Sequence, residues 1–156
     1  MGDWTGLVAA GALTLGFLAG PAVRAATYPV DDMATLPGRS TVTMKWRTAG
    51  PTPGDGNMLD GATAVTMILN TAPWIGRTGR VYMKLDETPA GPVQVEWTTQ
   101  GRLLAGFLTP GVRALVYAGP IRARQLTDTL FVHVHADGRR LSAEQQLHFK
   151  FEIDVD

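Results

Sequence analysis

The chain has 156 residues, 45% of them hydrophobic, and its 14 lysines plus arginines are matched by 14 aspartates plus glutamates. That length suits one domain able to bury a core, and the cancelled charge gives no sign of the concentrated basic surface that nucleic acid or an anionic membrane requires. Cysteine is absent, so thiol chemistry and disulfide support are both excluded and packing has to hold the fold together.

Residues 1–25 read as a signal peptide. Residues 7–19 are apolar and small, and Val23 and Ala25 stand at the small-residue positions a signal peptidase recognises, so cleavage is expected after Ala25. The leading MGDWTG departs from the pattern, since it carries Asp3 and no basic residue. An apolar run of about a dozen residues falls short of the ~20 that span a bilayer, so no membrane span is expected in the mature chain. Residues 26–39, ATYPVDDMATLPGR, contain two prolines and no periodicity, and read as a flexible leader.

Residues 40–48, STVTMKWRT, alternate. Val42, Met44 and Trp46 share one face of an extended chain, and Thr43, Lys45 and Arg47 share the other, which predicts a half-buried strand. A Gly/Pro-rich loop follows over 49–61, then ATAVTMILN, with Val65, Met67 and Leu69 in alternation; it reads as a second strand buried on both faces. GRVYMKL sets Val81, Met83 and Leu85 against Arg80, Tyr82 and Lys84, and PVQVEWTT sets Val93, Val95 and Trp97 inward. RLLAGFLT and VRALVYA are shorter strands parted by Pro110 and Gly111. LTDTLFVHVHA lines up Leu130, Val132 and Val134, and QLHFKFEIDV lines up Leu147, Phe149, Phe151, Ile153 and Val155. Helical periodicity is lacking, with at most one turn over 142–146. About eight short strands separated by Gly/Pro turns predict an all-β sandwich of immunoglobulin-like type over 49–156.

Chemistry finds little to work with. The mature chain has only Ser40 and Ser142 as serines and no G-x-S-x-G elbow, so no enzyme activity is expected. Asp31 with Asp32, and Asp86 with Glu87, are sequence neighbours on loops, the pattern of solvated turns. GDGNMLDG offers Asp55, Asn57 and Asp60 as oxygen ligands, but Leu59 interrupts the calcium-loop spacing and no bidentate glutamate follows, so a turn is expected. His133 and His135 share a strand face and His148 lies on the polar face of the last strand. A hairpin around Arg140 and Leu141 would bring the three together as candidates for a metal site; a turn at Asp137 and Gly138 would keep His148 out of register. No metal or other cofactor is expected. Trp74, beside Pro73 in a turn-rich loop, reads as a lid over the core edge or as a sugar platform.

Taken together, TVTMKW, DGNMLDGATAV, VYMKLDETP and PVQVEW with Leu103 and Leu104 after it resemble the pilins of the alternate chaperone-usher pathway, the colonisation-factor type of fimbriae. The resemblance covers roughly residues 41–104. It implies an incomplete immunoglobulin-like sandwich whose groove is filled by a neighbour's N-terminal strand, with Val42, Met44 and Trp46 as the inserted side chains. It also implies a periplasmic chaperone, an outer-membrane usher and neighbouring pilin subunits as partners, and a place on the cell surface. The final strand lacks the glycine and tyrosine usual in those pilins. If that strand fills the groove from within the same chain, the alternative is a self-completed periplasmic or secreted module that binds a glycan or a metal.

Overall fold

The computed structural model describes residues 26–34, 42–47, 57–87, 93–140 and 147–156. The signal-peptide segment, residues 35–41 and 48–56, and the expected single turn at 142–146 lie outside them. Among the described residues there are nine strands: β1 (Ala26–Val30), β2 (Lys45–Trp46), β3 (Met58–Asn70), β4 (Thr78–Leu85), β5 (Val93–Thr99), β6 (Gly106–Leu108), β7 (Arg113–Pro120), β8 (Gln125–Asp137) and β9 (Phe149–Val155). They form two antiparallel sheets, one ordered β1-β9-β4-β7 and the other β2-β3-β8-β5-β6. The protein is therefore an all-β sandwich.

Alternation explains most of the core. Val81, Met83 and Leu85 of β4 and Phe151, Ile153 and Val155 of β9 face Val93, Val95 and Trp97 of β5 and the even-numbered residues 126–136 of β8, and all are buried. β8 holds the second sheet together, pairing along its whole length with β3 and along half of it with β5. β3, expected to be buried on both faces, is buried on one: Met67 and Leu69 are covered while Thr66 is exposed. It is also longer than expected, because residues 58–61 extend the ladder with β8 instead of turning. A bulge between Val81 and Tyr82 shifts β4 against β7 and leaves Val116 without a ladder partner, so this buried residue is the extra one.

Two placements differ from the sequence reading. β9 does not form a hairpin with β8; it crosses to the other sheet and lies between β1 and β4. Residues 138–140 form a turn in which Gly138 N–H donates to Asn57 O at 2.8 Å and Arg140 N–H to Asp137 O at 3.0 Å, which leads the chain out of β8's sheet. Residues 26–30 of the expected flexible leader form β1, an edge strand on β9. Pro29 suits an edge, because a proline has no N–H to offer a second neighbour.

Candidate strand-exchange surface

The N-terminal residues touch the domain along the side where β9 and β3 would otherwise be sheet edges. β1 runs antiparallel to β9, pairing Ala26 with Val155, Tyr28 with Ile153 and Val30 with Phe151. Val30 is its buried residue. Thr27 Oγ1 donates to Asp154 Oδ1 at 2.5 Å, and the Tyr28 ring lies 6.2 Å from that of Trp74. Just after the strand, Asp31 O accepts the Asn70 N–H at 2.9 Å, so this segment links the two sheets.

β2 borders the other sheet, with Lys45 opposite Asp60 and Trp46 opposite Leu59. Val42 and Met44 are half-buried, and Met44 packs on the core. They fit because residue 61 is glycine: a Cβ there would overlap the Val42 and Met44 side chains. Trp46 is 49% exposed, its ring lying over Gly138 at the end of the sheet.

An ionic cluster fastens this segment. Arg47 Nε donates to Asp60 Oδ2 at 2.8 Å and Arg47 Nη2 to Oδ1 at 2.9 Å, a bidentate pair. His135 Nδ1 lies 2.6 Å from the same Oδ1, and since a carboxylate only accepts, Nδ1 carries the proton. The Asp60 carboxyl is held far below the usual carboxylate range, first by the Arg47 bonds and then by the one from His135. A lowered folded pKa contributes stability that is complete above the unfolded value of about 4 and is lost as pH falls through the folded one. Urea midpoints should therefore drop on acidification below about pH 4, and the drop should be smaller in Asp60→Asn. Asp137, held down to about 2 by Arg139, contributes in the same direction and stays in both proteins.

The remaining candidates are dispersed. His133 and His135 lie on the outer face of β8, whereas His148 precedes β9 in the other sheet, so the three imidazoles share no face. Among the described residues no group of metal-ligating side chains converges. Trp74 is buried at 9% exposure beneath Tyr28, a lid and not an open platform. Asp86 is paired with Lys150 at 2.7 Å, which lowers its carboxyl, and Asp31 accepts the Met33 N–H at 3.0 Å. Asp60 is committed to Arg47 and His135, away from any calcium loop; Asp55 lies outside the described residues.

Sequence reasoning missed β1, Gly61 and Gly138. Exposure of four of the five β1 residues removes any apolar alternation, and the glycines are informative only once their neighbours across the ladder are known. Among described helices none is long and apolar enough to cross a membrane. No family model, no curated protein and no solved structure matches the chain.

Proposed function

We propose that this protein is a structural subunit of a surface fimbria, built into the fibre by exchange of its N-terminal segment between neighbouring copies. The supporting observation is the pairing of the first described strand with the last, Ala26 to Val155 through Val30 to Phe151. A strand that joins its domain only along a sheet edge can make the same main-chain bonds to another copy. Residues 42–46, seated over Gly61 and Gly138, would travel with it. Within this reading β1 joins Val42, Met44 and Trp46 as part of the donated segment, and a periplasmic chaperone and outer-membrane usher would handle the subunit before and during assembly. Exchange would also cover the β9 edge in every copy, which limits uncontrolled pairing.

A second reading is supported by the closed arrangement within one chain, where β9 is an interior strand and β1 already covers its edge. That is a self-completed module that binds a ligand as a monomer.

Truncation and peptide rescue separate the two. A chain beginning at residue 48 should be less stable than one beginning at residue 26, and a synthetic peptide of residues 26–47 should restore its unfolding temperature. The chain from residue 26 should also form concentration-dependent oligomers by sedimentation. Oligomers together with peptide rescue support the fibre subunit; a monomer at all concentrations, with no uptake of peptide, supports the self-completed module.

A further inference from the structure

At the end of the sandwich where β3 leads to β4 and β7 to β8, surface loops come together. Arg102 and Arg122 line one shallow depression with Thr71, Tyr117 and Gln125, and Arg124 continues onto the neighbouring one. All three arginines are exposed, and among the described residues none of their guanidinium groups has an ion-pair or hydrogen-bond partner. Elsewhere the cations Arg47, Arg113, Arg139 and Lys150 are paired with carboxylates. The chain has zero formal charge, yet this end presents three exposed guanidinium forks without a carboxylate partner.

The backbone beneath them is fixed. In the 121–124 loop, Ile121 N–H donates to Arg77 O at 2.8 Å and Ile121 O accepts the Gly76 N–H at 2.9 Å. Thr71 reaches the same loop twice, its N–H to Arg124 O at 2.8 Å and its hydroxyl to Ala123 O at 2.9 Å. Beside Arg102, Leu103 N–H donates to Asp128 Oδ2 at 2.8 Å, Thr99 Oγ1 to Leu103 O at 2.7 Å and Trp97 Nε1 to Leu104 O at 2.8 Å. Loops held this way present their side chains without an ordering cost for the main chain, which favours binding.

We propose that Arg102, Arg122 and Arg124 form a binding surface for an acidic polysaccharide. Their planar forks match carboxylate or sulfate oxygens two at a time, and the Gln125 amide beside them can bond sugar hydroxyls. Single-stranded nucleic acid is disfavoured because its bases need an aromatic platform, and Tyr117 is half-buried with its hydroxyl donating to Pro120 O at 2.8 Å. An acidic peptide is disfavoured because Ile121 and Leu126 in the floor are buried and leave no apolar pocket. Asp31 borders the second depression with Arg124, so the anion sits toward Arg102 and Arg122. Such a surface would serve a fibre subunit and a self-completed module alike.

The test measures binding of the full chain to heparin as the sulfated probe and polygalacturonate as the carboxylated one, with neutral dextran as control, at about 0.15 M salt. Wild type should bind at least one acidic polymer and not dextran. The triple variant Arg102→Gln/Arg122→Gln/Arg124→Gln should bind roughly tenfold or more weakly, while Arg140→Gln at the other end stays within about twofold. The triple Arg→Lys variant should lie between them, because it keeps charge and loses the fork. The three side chains are exposed and unpaired, so unfolding curves should coincide. Unchanged binding by the glutamine variant overturns the proposal, as does tighter binding of a single-stranded oligonucleotide or of polyglutamate than of either polysaccharide.

Discussion

Trp97→Ala should lower the unfolding temperature by about 15 °C or more. The indole is 1% exposed, and it stacks against Gly106, where a Cβ would approach its Cζ2 atom to 2.8 Å. It faces Gly106 on one side and Val132 on the other in the ladder, so it spans the seam between β5 and both neighbours. Truncating a buried aromatic to alanine costs about 3–5 kcal/mol for transfer and cavity. The ring also donates Nε1–H to Leu104 O at 2.8 Å, and the orphaned carbonyl adds about 1 kcal/mol. Trp97→Phe keeps most of the packing and loses that bond, so it should cost roughly 1–2 kcal/mol. Urea unfolding of both variants checks the split. Equal losses would mean that the hydrogen bond, and not the cavity, carries the effect.

Asp128→Ala should be the other severe substitution, at about 2–4 kcal/mol. This aspartate points to the interior with only 8% exposure. Its Oδ2 accepts Leu103 N–H at 2.8 Å and its Oδ1 accepts Thr129 N–H at 2.7 Å. A Cβ on Gly101 would come within 2.6 Å of the carboxylate, so the loop can close over Asp128 only because residue 101 has no side chain. Alanine leaves the Leu103 amide buried without an acceptor. The Asp128→Asn variant retains one carbonyl oxygen, so it should recover about half of the loss. Hydrogen exchange at Leu103 is the specific readout: it should accelerate strongly in Asp128→Ala. An unaltered rate would show that Thr99 and Trp97 hold the loop unaided.

Most of the sandwich was legible where one face of a strand meets the core and the other meets water. β4, β5 and β9 alternate without a break, and β8 does so over 130–136 apart from the outward Phe131; the buried Asp128 is the residue an apolar pattern does not select. The partners of a strand are another matter. Period-two alternation says which face is buried and nothing about which sheet a strand joins, so β9 could be read as β8's hairpin partner although it belongs to the opposite layer. Edge strands are the least legible, since β1 buries one residue and β2 pairs over only two.

The candidate sites divide on similar lines. Val42 and Met44 face the domain as their spacing indicated, yet the room they occupy is made by Gly61, which lies beyond the following loop in another strand. The Arg47–Asp60–His135 cluster joins three segments of the chain and leaves no local trace. Net charge concealed the three free arginines altogether. A sum over the chain reports balance and is silent on position, whereas the fold brings Arg102, Arg122 and Arg124 to one end of the sandwich.

The antiparallel register of β1 on β9 bears on how the chain could be rewired. Ala26 stands opposite Val155, a separation of about 5 Å between Cα atoms in such a ladder. A turn of about two to four residues, of the length that joins ordinary hairpins, could therefore connect Asp156 directly to Ala26. With new ends opened within residues 48–56, β1 would become the second arm of a hairpin with β9, covalently committed to its own domain. Such a permuted protein keeps every described ladder, and under the fibre-subunit proposal it could no longer donate β1, although residues 42–47 would stand beside its new C-terminus.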